Sequence, residues 1–372
     1  MQLESTDVER CLTVIGLVGK EFLYGRTLGL ATLDFAAALG VIAYSRKLCV
    51  VCRLQMYYLG IVYHFHDMLN YRINKTALPL KPDKVAIVTG GSRGIGAEVV
   101  KKLLQCDMEV IIACRTTNAG EKLIHEIRRS GIISGRAKVY KLDNSCFESV
   151  RKFVKQIKTD YDRIHILVNN AAIMFPPTYN ETEDGYEEQW AVNYLSHFLL
   201  TSLLLPLLKT AGRPGECSRI VNVTSCAHDT ANINFDYINN SKESFCTHAS
   251  YSRSKLAQTM STITLQRLFR DKSLNILAYS VHPGIVGTDL FKDTLFGSNK
   301  WLMATWKTSD RGAIPIVYAA TNVDIEEKGG IFISNCKEMA PPPLALEEEV
   351  QERLFELSLK QVHLRNFFQY LE

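Results

Sequence analysis

Tyr251-Ser-Arg-Ser-Lys255 sets a phenol and an ammonium four residues apart. On a helix that spacing puts both on one face, one turn from each other. A phenol has a pKa of about 10 and must drop by about three units, or ~4 kcal/mol, to exchange protons near neutrality. A neighbouring cation favours the phenolate and supplies part of that drop. Ser225 adds a hydroxyl just after an apolar run, Arg219 to Val223. By itself Y-x-x-x-K describes many solvated helix faces. Its weight here comes from a second motif, Gly90, Gly94 and Gly96, spaced G-x-x-x-G-x-G. Glycines let a chain turn tightly and approach a pyrophosphate, and the helix after them offers free N–H groups to negative charge.

The elements that hold these groups follow from periodicity. Lys84 to Arg115 reads strand, glycine turn, helix, strand, with Ile95, Val99, Leu103 and Leu104 on one helix side. Short apolar runs then alternate with helical patterns: strands over 137–142, 164–168, 219–223, 276–281 and 330–333, helices over 121–129, 147–157, 186–208 and 250–269. About seven strands separated by helices imply an α/β fold with a parallel sheet covered on both faces. The chain divides into an apolar N-terminal region and linker (1–80), a strand–helix domain (81–335) and a helical tail (336–372).

Composition limits the function. The 372 residues are 47% hydrophobic and 22% charged, which suits a packed core. A net charge of +4 argues for no nucleic-acid partner. Ten cysteines without a tight pairing pattern fit reduced thiols on a cytosolic face. Thr27 to Tyr44 is an apolar run broken only by Asp34, near the length of a membrane span, and Arg46, Lys47 and Arg53 follow it. The positive-inside rule then sets the remainder on the cytosolic side. Leu48 to Phe65, with Tyr57, Tyr58 and Tyr63, suits a helix lying in the interface; a buried hydrophobic hairpin is the alternative. Cys49 and Cys52, with His64 and His66, lack the usual finger spacing and read as packed or lipid-facing, with no metal expected. Asn74-Lys-Thr76 is a glycosylation sequon, relevant only in a lumen. The aromatic segment Leu290 to Trp306 reads as a lid or membrane-dipping flap, or as simple packing.

Together, TGGSRGIG (89–96), NNAA (169–172), Asn193 in VNYLSHF, Ser225, Tyr251 with Lys255, and Pro283-Gly284 with Thr288 resemble the short-chain dehydrogenase/reductase family over about 84–335. The segments at 182–200 and 232–255 look most like its retinol-dehydrogenase-like branch, polyprenol dehydrogenase type. The resemblance implies a Rossmann doubly wound parallel sheet. It implies that Tyr251 moves the proton of the substrate oxygen, that Ser225 hydrogen-bonds that oxygen, and that Lys255 holds the nicotinamide ribose and lowers the tyrosine pKa. Asn193 would position a water beside Lys255. Gly90, Ser92, Arg93, Gly94, Ile95 and Gly96 would hold the dinucleotide phosphates. Asn170 and Ala171 would line the adenosine, Asp143 the adenine, and Pro283, Val286 and Thr288 the carboxamide. Ala172 and Thr224 depart from the family's usual glycine and serine without removing a catalytic group.

The run 110–114 ends in Arg115, with no acid to bind both ribose hydroxyls. NADP(H) is therefore expected, with Arg93 and Arg115 on its phosphate and NAD(H) as the alternative. The expected function is interconversion of an apolar lipid alcohol and its carbonyl, on a polyprenoid, a retinoid or a steroid. The partners expected are a lipid-like substrate, a membrane surface (the endoplasmic reticulum, catalytic part facing the cytosol) and a second copy in a homodimer. The competing reading is a nucleotide-binding scaffold without turnover.

Overall fold

The apolar run after Lys84 becomes β1 (Val85–Thr89), and β2 (Glu109–Cys114) and β4 (Ile166–Asn169) pair with it in parallel. The computed structural model describes residues 35–235, 238–239, 242, 245–291 and 305–371, with backbone alone for 35–48. Among these, β3 (Arg136–Lys141), β5 (Ser218–Val223), β6 (Ile276–His282), β7 (Phe332–Ser334) and β8 (Lys337–Met339) complete one sheet. Its order is β3-β2-β1-β4-β5-β6-β7-β8, parallel except for the final β7–β8 hairpin. The order reverses between β1 and β4, so the crevice for a ligand opens at the carboxyl ends of those strands. Seven strands are expected from the apolar runs. The eighth, Lys-Glu-Met, is a short polar edge with no hydrophobic signal.

Helices cover both faces. On one side α2 (Gly94–Gln105) and α3 (Thr117–Arg129) lie beside a later helix, α7 (Ser309–Thr321). Val99, Val100, Leu103 and Leu104 of α2 are fully buried there, as their spacing requires. On the other side stand α4 (Phe147–Asp160), α5 (Glu188–Ala211) and α6 (Thr247–Asp271). The tail helix α8 (Glu348–Gln361) packs on α5 and α6, with Leu354, Val362 and Phe367 in the same core as Phe198 and Phe269. Helix α5 is apolar and long enough to cross a membrane, yet the apolar stretch is 94% buried, so it is core.

The N-terminal region carries the least expected feature. The stretch read as a span followed by an interfacial piece is one 35-residue helix, α1 (Phe35–Leu69). Residues 27–34 of the proposed span lie outside the described residues, as do 292–304 of the aromatic segment. Downstream, Asn74 is buried and its Nδ2 donates to Arg311 O at 3.1 Å, which occupies the sequon amide.

Candidate active site

The glycine turn leaves the end of β1 and enters α2. Gly90 has φ +63°, and a Cβ there would press on Ala171 after β4. A Cβ at Gly96 would collide with Gly90 O and Asn170 Nδ2. Thr89, at 0% exposure, locks the two strand ends together. Its Oγ1 accepts from Asn170 N at 2.9 Å and Ala171 N at 3.0 Å, while Asn170 Nδ2 donates to Thr89 O at 2.8 Å. Asn170 and Ala171 thus shape the turn as well as bordering it. Helix α2 has no side-chain cap, since Arg93 at its N-cap makes no capping hydrogen bond. Its first N–H groups face the turn with their partial positive charge. This cradle fits a dinucleotide pyrophosphate.

Ser92 and Ile95 are half-buried beside that turn, and Gly94 lies with Thr288 at van der Waals distance from any Cβ it could carry. Arg93 and Arg115 are exposed, and neither has an ion pair among the described residues. Asp143, half-buried after β3, accepts from Ser145 N and Oγ in a local turn. Pro283 and Val286 are buried in the loop after β6.

Ser225 follows β5, where its Oγ caps a short helical turn by accepting from Ala227 N at 3.2 Å. Tyr251 and Lys255, from α6, are 5% and 2% exposed. Burial pushes the Tyr251 phenol well above its ordinary value, and a hydrogen bond with Ser225 works against that rise. Burial drives Lys255 down to about 7. Its Nζ lies 5.7 Å from the Tyr251 ring centre and donates to Val223 O and Gln258 Oε1, both at 2.9 Å. Two acceptors serve three N–H groups.

Asn193 sits in a π-turn, Ala191–Leu195, within α5. Such bulges recur at functional sites. Its Nδ2 donates to Ile173 O and Ser254 Oγ at 3.0 Å each, and its Oδ1 accepts from Ile173 N at 2.9 Å. Both amide donors are therefore spent clasping the segment after β4 to α6. His197 Nδ1 stands 3.0 Å from Asn193 O.

Helix α1 completes the site, which sequence reasoning missed. Met56 packs with Met174, Phe175, Ala227 and Tyr251, against which Leu290 and Phe291 also rest. Tyr63 OH donates to Asp229 Oδ2 at 2.8 Å, behind Ser225. Asp67 Oδ2 accepts from Ile285 N at 2.8 Å, and its Oδ1 meets Lys307 Nζ at 2.9 Å and Asn335 Nδ2 at 2.9 Å. Burial alone would raise Asp67, but the Lys307 ammonium overrides it and holds the carboxyl below the ordinary aspartate range. Gly284 (φ +92°) has no room for a Cβ against this pair. The only local hint was an acid in an apolar stretch. Cys49 of α1 reaches Cys246 and His248 at the start of α6, their donor atoms within 4.8 Å of one another. A separate hollow of about 310 Å³ lies at the amino ends of β1 to β3, beside Asp83, Glu109, Lys138 and Tyr161, away from this machinery.

The geometry has known counterparts. Residues 84–296 match the family model described as short chain dehydrogenase. A human protein named polyprenol dehydrogenase is 36% identical over 75% of this chain and 85% of its own length. Mouse retinol dehydrogenase 13 is 36% identical over 76% of this chain and 85% of its own. A solved structure of an uncharacterized protein from Mycobacterium paratuberculosis superposes with a TM-score of 0.62 at 27% identity, covering 78% of this chain and 98% of that one. A Pseudomonas aeruginosa RhlG/NADP complex shares the fold, with a TM-score of 0.54 at 22% identity over 69% of this chain and 96% of that one. A buried tyrosine–lysine pair beside a serine, set over a glycine cradle, therefore comes with matching sequence across most of the chain, which belongs to the short-chain dehydrogenase/reductase family, in its retinol-dehydrogenase-like branch, and is an oxidoreductase.

Proposed function

We propose that this protein interconverts an apolar lipid alcohol, of polyprenol or retinoid type, and its carbonyl at a membrane surface, with NADP(H) preferred. The observation that carries the proposal is the wall around Tyr251: Met56, Met174, Phe175, Leu290 and Phe291 make the substrate side greasy. A polar alcohol would lose hydration there without recovering hydrogen bonds, whereas a hydrocarbon chain loses nothing. The relatives named for polyprenol and retinol support the same class.

Gly90, Gly94, Gly96 and the N-terminus of α2 hold the pyrophosphate, with Ser92 and Ile95 beside it. Arg93 and Arg115 would meet a 2′-phosphate without competition from a carboxylate among the described residues. Asn170 and Ala171 border the adenosine, Asp143 the adenine, and Pro283, Val286 and Thr288 the carboxamide end. When bound, the nicotinamide accepts or returns the hydride. Ser225 donates a hydrogen bond to the substrate oxygen and steadies its charge. Tyr251 gives the proton when a carbonyl is reduced and takes it when an alcohol is oxidised. Lys255 turns its remaining N–H toward the ribose. Asn193 keeps α6 in register with the segment after β4 through its side chain, and its main-chain carbonyl is left to position a water beside Lys255.

Membrane association is supported by the outer face of α1. Val50, Leu54, Tyr58, Ile61, Phe65 and Met68 are all exposed, at spacings of three and four. A continuous apolar stripe on a docked helix suits the headgroup boundary, with the site opening beside it. The endoplasmic reticulum, with the catalytic part in the cytosol, is the compartment this reading assigns. Pairing through α5 and α6 has little surface left, because the C-terminal segment covers those helices. The test is turnover of a panel of prenols, retinoids and sterols in mixed micelles with NADPH or NADP+, and separately with NADH or NAD+. Activity on a long-chain prenol or retinol supports the assignment; silence on every lipid, with dinucleotide still bound, supports the scaffold reading instead.

A further inference from the structure

Outside the catalytic group, one cluster brings together donor atoms that neither hydride transfer nor membrane contact uses. Cys49 and Cys52 lie three residues apart on α1, hence on one helix face. Cys246 is the N-cap of α6 and His248 lies in its first turn. The donor atoms of Cys49, Cys246 and His248 are all within 4.8 Å of one another, and the Cys52 thiol hydrogen-bonds that of Cys246. No disulfide joins them among the described residues. A tetrahedral zinc site with three sulfur ligands and one nitrogen, at Zn–S of about 2.3 Å and Zn–N of about 2.0 Å, spaces its donors roughly 3.5–3.8 Å apart. A contraction of about 1 Å brings Cys49, Cys246 and His248 to that spacing, and the Cys52 thiol, outside that trio but hydrogen-bonded to Cys246, is the fourth donor within reach.

Two further observations point to a cation. His248 is 8% exposed, and its buried Nδ1 has no hydrogen-bond partner among the described residues. An imidazole nitrogen sealed in this way, on a ring that already hydrogen-bonds the Cys246 thiol, lacks a partner that a metal would provide. Charge also fits. Zinc with three thiolates and a neutral imidazole carries −1, and buried Arg253 interacts with Cys246 and Cys52 while Arg53 interacts with Cys49. Guanidinium groups in that position offset the excess. A disulfide would consume two thiols and leave the third and the imidazole without a role.

We infer that Cys49, Cys52, Cys246 and His248 form a structural zinc site that fastens α1 to the first turn of α6. Four protein ligands close the coordination sphere, so the ion is structural rather than catalytic. Binding releases the thiol protons to solvent and changes no oxidation state. The consequence for the site is positional. His248 stacks on Phe175 with ring centres 4.4 Å apart, and Phe175 meets Tyr251 edge-on at 5.2 Å. Fixing His248 fixes the wall against which Tyr251 works. The sequence alone showed Cys49 and Cys52 without their partners, which lie nearly 200 positions away.

The test uses the full chain in detergent, tag removed and thiols reduced, loaded with Zn2+ or Co2+ alone. Elemental analysis is expected to find about one zinc per chain, and the cobalt form is expected to show thiolate-to-cobalt absorption. Cys49→Ser and Cys246→Ser are expected to lose the metal, Cys217→Ser to keep it, and a chelator to lower the melting temperature of the wild type alone. Folded wild type with no cobalt–thiolate absorption overturns the inference whatever the variants do. So does full retention of metal in a Cys49→Ser, Cys246→Ser double variant, or a mass-mapped disulfide within the cluster under the same reducing conditions. Metal content is read without turnover, so failure of the substrate assignment leaves this test intact.

Discussion

Tyr251 is buried and protonated in the free protein, and Lys255 at about 7 is only partly charged. Neither group by itself makes a phenolate at neutral pH. A raised phenol holds its proton until the solution is basic, so it starts as an acid. Carbonyl reduction is therefore expected to stay flat or fall as pH rises from 6 to 9, while alcohol oxidation climbs over the same interval; initial rates in both directions across pH check this. A second expectation concerns the cofactor. Arg115 is exposed beyond β2 with no carboxylate partner among the described residues. Charged hydrogen bonds of this kind contribute about 1.5–3 kcal/mol, so Arg115→Ala is expected to weaken NADPH by about tenfold or more with NADH little changed. Fluorescence titration of both reduced cofactors measures it. Much of this was legible residue by residue, because glycine spacing and Y-x-x-x-K are local patterns. What Asn193 and Thr89 do was not, since each works through partners on other strands and helices.

Helices and strands were readable where apolar periodicity was strong. Helix α2 buries the side its spacing marks, and β6 is buried at every position. Strand β8 leaves no signal because it is only three residues long and two of them are charged, and α1 divides in two on the sequence because its composition changes midway. The tie between α1 and the loop after β6 left no local trace beyond an acid in an apolar stretch. Asp67 and Lys307 are 4% and 9% exposed. Removing one partner strands the other charge in the interior, so Asp67→Ala is expected to cost about 3–5 kcal/mol, read by denaturant unfolding. The sign of its pH dependence follows from the lowered carboxyl. Its contribution is complete above the ordinary aspartate value and is lost as pH falls through the folded value, so the gap between wild type and variant is expected to narrow below about pH 4.

At the scale of the molecule, three features converge on one edge of the sheet. The glycine cradle, the Tyr251–Lys255 pair and a helix with an apolar outer stripe all meet at the carboxyl ends of β1, β4, β5 and β6. Under the proposed function, such an arrangement would let a lipid pass from a bilayer to Tyr251 without crossing water. Replacing Leu54, Ile61 and Phe65 together by Gln is expected to reduce sedimentation with lipid vesicles by at least about tenfold, given about 1.5–3 kcal/mol for each fully buried apolar side chain, while turnover of a short soluble alcohol persists. This architecture was only partly visible beforehand. Hydropathy marked the N-terminal stretch as apolar but could not say which side faces the protein, since Met56, Tyr63 and Asp67 find their partners through distant segments.

The proposed chemistry passes through the hydroxyl of one tyrosine. The decisive measurement is turnover of a long-chain prenol or retinol by Tyr251→Phe, alongside its dinucleotide affinity. The expected result is a fall in kcat of about 10²–10⁴-fold with cofactor binding unchanged. A variant that binds the cofactor and still turns the lipid over near the wild-type rate would contradict it.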